Sequence, residues 1–303
     1  MMEQETYFRK TRWVLWGILF ANLLVAVVKL WLGISAGCAS LTADGTHSLA
    51  DGTSNIIGLV GLGIAAQPRD TRHPYGHQKF EVLASLAIGV MLALLCVQIV
   101  WRGISALLSP TQISFTPLEL GAIAGTIVIN ILVSSTEYHA GKKWGSTVLI
   151  ADSVHTRSDI AISTGVLLSL LGMRMGLPPQ TDGIVSLLVA GVVAFSCCEI
   201  LKPALAALAD SSVVDCLEVK DTVGAFPQVQ GIHKIRSRGA GRQIFIDMHI
   251  LMEGSSTVEQ AHELSHQIEA RLREQYGPMT ETEIHIEPVN PSLDQSRGNS
   301  FRC

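Results

Sequence analysis

The sequence contains one polar pattern twice within long apolar segments. The first copy is Ala-Asp-Gly-Thr-His-Ser-Leu-Ala-Asp at residues 43–51, and the second is Ala-Asp-Ser-Val-His-Thr-Arg-Ser-Asp at residues 151–159. Each copy pairs a histidine with an aspartate four residues later, His47 with Asp51 and His155 with Asp159. Residues four apart share one face of a helix, so each pair offers one imidazole nitrogen and one carboxylate oxygen together. Two such helices facing each other would supply the four ligands that Zn²⁺ prefers.

Ionisable residues at membrane depth are energetically costly, which favours a functional explanation for this pattern. Asp44 and Asp152, three residues before each histidine, could orient the imidazole rings or serve as alternative ligands. The competing interpretation is that the two polar helix faces hydrogen-bond to each other and hold a helix bundle together. Two acids and a histidine on each face are more than such packing requires, so the pattern predicts a transporter of a transition-metal ion.

A second group of metal-ligand residues lies between the two copies. Asp70, His73 and His77 offer one oxygen and two nitrogens within eight residues. These are ligand types that a divalent transition metal accepts. The segment can also be read as an ordinary polar surface loop, but its position between two predicted transmembrane helices favours a metal site at the cytoplasmic mouth of the pathway.

A third group of histidines lies in the polar C-terminal part of the chain. Two of them are one helical turn apart, and others fall on predicted strands; the group is His233, His249, His262, His266, His285 and the acid Glu287. Solvated surface histidines are the alternative interpretation. Because histidine is the commonest metal ligand, the clustering favours a metal-binding regulatory domain.

The composition indicates an α-helical membrane protein. Of 303 residues, 48% are hydrophobic and only 16% are charged, which is too apolar for a soluble enzyme of this length. Six segments have roughly the 20 residues that a helix needs to cross a bilayer. They are residues 13–33, 40–66, 82–107, 117–136, 147–173 and 182–205. The net charge of -4, without a stripe of basic residues, argues against a nucleic-acid partner.

The distribution of basic residues predicts the orientation of these helices. Lysine and arginine are concentrated before the first segment and in alternate loops, and cytoplasmic loops carry such an excess. An even number of spans then places both termini in the cytoplasm. Short loops and the absence of a targeting segment favour a bacterial inner membrane.

The chain after Asp210 has the composition of a soluble domain. Its pattern predicts a helix at 213–225, a strand at 231–238, a turn at Gly239-Ala240-Gly241, a strand at 242–252, a helix from about 258 and a strand at 281–287. The order α-β-β-α-β predicts a small α+β domain. The expected division is a cytoplasmic tail at 1–12, a six-helix transmembrane domain at 13–209, the cytoplasmic metal-binding domain at 210–290 and a disordered tail at 291–303.

These motifs together resemble the cation diffusion facilitator family of zinc and related divalent-metal exporters. The resemblance extends over about residues 10–290, nearly the whole chain. The matching motifs are His47-x3-Asp51, His73-Pro-Tyr-Gly-His77-Gln-Lys79-Phe-Glu81, His155-Thr-Arg-Ser-Asp159 and His285-Ile-Glu-Pro.

The resemblance implies a homodimer in which each protomer has six transmembrane helices and a cytoplasmic metallochaperone-like domain. It implies export of a metal ion in exchange for protons by alternating access. The transport site of the family is matched by His47, Asp51, His155 and Asp159. A site in a loop is matched by Asp70, His73 and His77. A site in the cytoplasmic domain, which bridges or tightens the dimer, is matched by His233, His249, His262, His285 and Glu287. A His-Asp/His-Asp quartet is similar to that of the zinc-preferring members. His266 matches no family ligand, and Lys79 and Asp210 resemble a charge pair at the junction of membrane and cytoplasm.

The residues themselves support proton-coupled transport. Histidine and aspartate must lose their protons before they bind a metal, so metal affinity depends on proton occupancy. Nitrogen and oxygen ligands suit Zn²⁺, with Cd²⁺, Co²⁺ and Fe²⁺ as further candidates, and no organic cofactor is expected. An enzyme is not expected, since a membrane metalloprotease would need His-Glu-x-x-His or a comparable base. A divalent-cation channel and a membrane-anchored metal sensor are the alternatives.

Overall fold

Six long helices make up the first two thirds of the chain. The computed structural model describes residues 2–35, 39–109 and 117–289. Within that part of the chain the long helices are α1 (Met2–Ser35), α2 (Ala39–Ala65), α3 (Lys79–Leu108), α4 (Pro117–Trp144), α5 (Thr147–Arg174) and α6 (Gln180–Leu208). Each helix covers one predicted span or nearly all of it. Helix α1 begins at Met2, well before the apolar segment at 13–33, because the polar residues 2–12 are also helical.

Four of these helices are long and apolar enough to cross a membrane. The segments are Thr6–Trp31, Lys79–Leu108, Leu120–Trp144 and Gln180–Leu208, and α2 contributes a shorter apolar segment, Gly52–Ala65. Helix α5 is long enough, but Asp152, Arg157 and Asp159 lower its hydropathy. The predicted α-helical membrane fold with a small α+β domain is confirmed.

The helices of residues 1–205 form one compact unit. Its core includes buried side chains of α1, α2, α3, α5 and α6. Leu15, Leu62, Ile88 and Leu149 are among them, each at most 1% exposed. Large apolar residues also face outward; Trp13, Phe20, Val97 and Phe195 are among them. An apolar exterior of this extent is what a helix bundle surrounded by lipid requires.

The described residues after 205, up to residue 289, form the second compact unit. Its elements are α7 (Cys216–Gly224), β1 (Gly231–Ala240), β2 (Gln243–Met252), α8 (Val258–Tyr276) and β3 (Thr280–Pro288). Strand β2 is central, antiparallel to β1 and parallel to β3. Alternate residues of β2, from Ile246 to Met252, are buried on the face that packs with the apolar stripes of α7 and α8. The order α-β-β-α-β agrees with the prediction.

One turn was predicted in the wrong place. The expected turn Gly239-Ala240-Gly241 lies mostly within β1, and the hairpin loop is Gly241-Arg242, with Ala240 paired to Gln243. Gly239 is needed for a different reason, since a Cβ there would lie 2.5 Å from the carbonyl oxygen of Gln243. The glycine therefore allows close approach of two strands, and only Gly241, with φ of 60°, supplies a turn conformation. The predicted disordered tail at 291–303 lies outside the described residues.

Candidate metal-binding sites

Helix α5 presents the second copy of the polar pattern on a buried face. Ser146 caps the helix, accepting a hydrogen bond from the N–H of Leu149. His155 and Asp159 are one turn apart, with Nε2 of the histidine 3.9 Å from Oδ2 of the aspartate. Both ring nitrogens of His155 are buried and have no hydrogen-bond partner among the described residues. A buried imidazole that makes no hydrogen bond within the described residues, together with the carboxylate beside it, offers two metal ligands.

The first copy of the polar pattern, residues 43–51, lies within helix α2. The side chains of Asp44, His47 and Asp51 lie outside the described part of the structure. The next turn of α2 is described, and there the amide of Asn55 donates a hydrogen bond to the carboxyl of Asp152 on α5. Asn55 is one turn after Asp51, and Asp152 is three residues before His155. This contact therefore joins α2 and α5 close to the two halves of the predicted site.

Glu137 on α4 is a buried acid that the sequence analysis did not single out. It is fully buried and contacts the carboxyl of Asp152, and the hydroxyl of Thr156 lies 3.1 Å from its Oε2. The signal was available, because an acid within an apolar helix is unusual in itself. Asp152 thus lies between Asn55 and Glu137 and serves to connect α2, α4 and α5.

The loop between α2 and α3 brings Asp70, His73 and His77 together. One ligand atom from each lies within 4.8 Å of the others. His73 Nδ1 is 3.3 Å from Asp70 Oδ1, and His77 Nε2 is 3.6 Å from Asp70 Oδ2. Gly76, with φ of 92°, donates its N–H to the carbonyl of His73 and closes a tight turn. The turn places the two imidazole rings 4.3 Å apart, between centroids.

Asp70 is oriented by the backbone of this turn. Its Oδ1 accepts hydrogen bonds from the N–H groups of His73 and Arg72, at 2.6 and 2.8 Å. The bond from His73 is the main reason that the pKa of the Asp70 carboxyl lies below its usual value. A carboxylate that is ionised and held in place is suited to bind a cation.

The sheet of the second unit places three histidines in one row across its strands and an acid beside that row. His233 on β1 is opposite His249 on β2, which is opposite His285 on β3. These side chains lie on the face opposite the buried residues of β2, and Glu287 follows His285 on the same face because strand residues alternate. We call His233, His249, His285 and Glu287 the sheet site.

Glu287 is the centre of the sheet site. Its Oε1 is 2.8 Å from His249 Nδ1 and 3.7 Å from His285 Nε2, and its Oε2 is 3.6 Å from His233 Nε2. His233, His249 and Glu287 each offer a ligand atom within 4.8 Å of the others, and His285 is the more exposed neighbour. Two or three imidazoles and one carboxylate fit a zinc site.

The remaining predicted residues lie elsewhere. His262 is on α8, where its Nε2 faces the Nε2 of His266, and the group formed by His233, His249 and Glu287 does not include it. Lys79 is the first residue of α3, and Asp210 follows α6 with φ of 53°. Lys79 belongs to the first compact unit, and Asp210 belongs to the second.

Two family descriptions match consecutive parts of the chain. Residues 15–209 match the cation efflux transmembrane domain, and residues 213–289 match the cytoplasmic domain of cation efflux proteins. Together the two matches span both compact units.

Several curated proteins are similar over most of their length. An uncharacterized transporter of Methanocaldococcus jannaschii is 30% identical over 89% of this chain and 95% of its own. A manganese efflux system protein of Bacillus subtilis is 29% identical, covering 94% of this chain and 98% of its own. A cation-efflux pump of Shewanella oneidensis is 28% identical over 88% and 90% of the two chains.

Proposed function

The chain belongs to the cation diffusion facilitator family, and on that premise we propose that it exports Zn²⁺ from the cytoplasm in exchange for protons by alternating access. Membership makes it a transporter of metal cations rather than an enzyme. The observation that carries the proposal is the buried His155, whose ring nitrogens have no partner among the described residues, one turn from Asp159. We propose His47, Asp51, His155 and Asp159 as the transport site.

The choice of zinc follows from the donor atoms. Two imidazoles and two carboxylates suit Zn²⁺, whereas Mn²⁺ favours sites that are richer in oxygen. The similar protein of Bacillus subtilis is a manganese efflux protein, so the metal must be measured against Mn²⁺ directly. Cd²⁺, Co²⁺ and Fe²⁺ are the further substrates to compare.

Proton exchange follows from the ligands themselves. Imidazole and carboxyl groups bind either a proton or a metal ion through the same atoms, so protons arriving from outside release the metal there. Asp44 and Asp152 are proposed to support the two histidine positions rather than to bind the metal. For Asp152 this is supported by its contacts with Asn55 and Glu137, which hold its carboxyl between helices.

The test is uptake by proteoliposomes that carry an imposed pH gradient. We expect Zn²⁺ uptake that stops when an ionophore collapses the gradient and that exceeds Mn²⁺ uptake. His155→Ala and Asp159→Ala should abolish it, while His139→Ala, at an exposed histidine of α4, should not. Zn²⁺ flux that persists as an electrical current without the gradient would contradict antiport, and faster Mn²⁺ uptake would contradict the proposed metal.

The other two sites are proposed to act on the cytoplasmic side. Asp70, His73 and His77 would bind the cation at the loop, and the sheet site would hold Zn²⁺ as a structural or regulatory ion that tightens a homodimer. Support comes from the convergence of ligand atoms in both groups. Glu287→Gln should weaken the zinc-dependent dimer in light scattering, whereas Glu283→Gln, on the same strand, should not. An equally stable dimer without Glu287 would contradict this role.

We propose the domain division 1–12, 13–209, 210–290 and 291–303, with both termini cytoplasmic and the helices embedded in lipid of a bacterial inner membrane. The compact units and the matched ranges support the boundary near residue 210. Cysteines introduced at either end should react with an impermeant thiol reagent only in inside-out vesicles.

We also propose a Lys79–Asp210 charge pair. Lys79→Asp should weaken the dimer, and Lys79→Asp with Asp210→Lys should restore it.

A further inference from the structure

Glu81 is a buried acid in the first turn of α3, with a side chain that is 5% exposed. The hydroxyl of Tyr7 on α1 lies 2.8 Å from each oxygen of its carboxylate and donates to it. Oε1 also accepts a hydrogen bond from Oγ of Ser146 at 2.6 Å and a longer one from the N–H of Val148 at 3.4 Å. The carboxylate of Glu81 therefore connects α3 with α1 and with the start of α5.

The contacts with Ser146 and Val148 are made at the N-terminus of α5. Ser146 is the N-cap, and its Oγ accepts from the N–H of Leu149 while donating to Glu81. The first four N–H groups of a helix have no partner within it, and an acid is favourable beside them. Two of these groups, those of Val148 and Leu149, are bound by Glu81 and Ser146. An acid from another helix thus fixes the place where α5 begins.

Packing alone does not account for this acid. Within the part of the chain that the structure describes, Glu81 pairs with hydroxyl groups and backbone N–H groups and with no basic side chain. Burial of a carboxylate without a cation is costly, and an apolar side chain would fill the same space without that cost. What the carboxylate adds is direction, because its hydrogen bonds hold their donors at defined positions.

Helix α5 carries the described half of the proposed transport site. His155 is nine residues beyond Ser146, about 14 Å along the helix axis, and Asp159 is one turn further. A packed helix is rigid, so a displacement at its start reaches both side chains. We propose that Glu81 is a positioning residue for transport, which holds the start of α5 where His155 and Asp159 bind the transported cation together. The inference rests on the proposed transport site.

The experiment measures uptake by proteoliposomes over a range of Zn²⁺ and of Mn²⁺ concentrations, so that KM is separated from the maximal rate. For the cation that the native protein takes up faster, Glu81→Gln and Ser146→Ala should raise KM by about tenfold or more, because a misplaced ligand weakens binding. Ser146→Ala leaves both the acid and its bond to α1 in place, so it carries the test if Glu81→Gln does not fold. A native KM in Ser146→Ala would overturn the proposal.

Tyr7→Phe is the matched control. It removes a hydroxyl donor to the same carboxylate, but the donor belongs to α1 rather than to α5. We expect it to lower the midpoint of thermal unfolding, as Ser146→Ala does, and to leave KM near the native value. If Tyr7→Phe and Ser146→Ala raised KM equally, Glu81 would be a general packing group, and the proposal would be overturned.

His155→Ala separates the failure of this inference from the failure of the proposed transport site. If His155→Ala stops uptake while Glu81→Gln and Ser146→Ala keep the native KM, the role of Glu81 is wrong and the transport site stands. Uptake with the native KM in His155→Ala would refute the transport site, and the inference with it.

Discussion

The bond between Asn55 and Asp152 gives the most direct test of how the membrane helices are joined. Asn55 is 1% exposed, donates to the carboxyl of Asp152 and accepts a hydrogen bond from the amide of Asn22 at 2.9 Å. Asn55→Ala removes both bonds and leaves the buried carboxyl of Asp152 without this donor. We expect the helix unit to lose stability and metal-ion transport to fall with it.

The expected magnitude follows from the two bonds. A hydrogen bond to an acidic group is worth about 1.5–3 kcal/mol and a neutral one about 1 kcal/mol, which gives a total of about 3 kcal/mol. For a unit of this size, 1 kcal/mol changes the midpoint of thermal unfolding by about 2–4 °C. We therefore expect a decrease of roughly 6–12 °C. Hydrogen bonds between membrane helices average only about 0.6 kcal/mol each. Two bonds of that strength would change the midpoint by roughly 2–5 °C.

The assay is thermal unfolding of the purified protein in detergent at a fixed scan rate, followed by circular dichroism. Asn22→Ala removes one neutral bond and should lower the midpoint by about a third as much as Asn55→Ala. Asn130→Ala, at a half-buried asparagine of α4, is the control for residue type. A midpoint for Asn55→Ala within about 5 °C of the native value would refute the reasoning, because the two bonds would then contribute no more than the membrane average.

Three further predictions concern packing, capping and ionisation. Gly61→Ala places a Cβ 2.4 Å from a side chain of α3 and should lower the thermal midpoint, whereas Gly63→Ala meets no atom within 4 Å and should not. Thr257→Ala removes the capping box of α8 and about 1 kcal/mol, so amide exchange in its first turn should accelerate, with Ser255→Ala as the control. Burial, followed by nearby acids, raises the pKa of Tyr276 to about 12. Its stabilisation is therefore complete below the ordinary tyrosine pKa of about 10 and is lost as the pH rises toward 12, and an absorbance titration of Tyr276→Phe should lack this late step.

The sheet site was predictable because strand geometry is simple. Alternation along β2 assigns His249 to the face opposite Ile250, and the same rule assigns His285 and Glu287 to one face of β3. What the sequence could not give was the register. His233 and His249 become direct neighbours only through the pairing of β1 with β2, which includes a shift after His233 where Lys234 has φ of 53°.

The errors and omissions have physical causes of the same kind. Gly239 was assigned to a turn because glycine is common there, but the structure uses it for close approach to the backbone of β2. Glu137 was missed because the predicted span ended at residue 136, so that this acid was not recognised as lying within an apolar helix. The structure extends α4 to Trp144, so that Glu137 lies within the helix and is fully buried. Helix length is set by packing as well as by apolar content, and composition alone underestimates it.

A chain of polar contacts connects four helices around the proposed transport site. It runs from Asn22 on α1 to Asn55 on α2, then to Asp152 on α5 and to Glu137 on α4. Lipid offers no competing hydrogen bonds, so each member must find its partner within the bundle. A helix that rotates during the proposed alternating access must carry its partners with it or break one of these contacts. Asn55 and Asp152 belong to the two helices that carry the proposed metal ligands. The strength of the bond between them would therefore set how independently α2 and α5 can move.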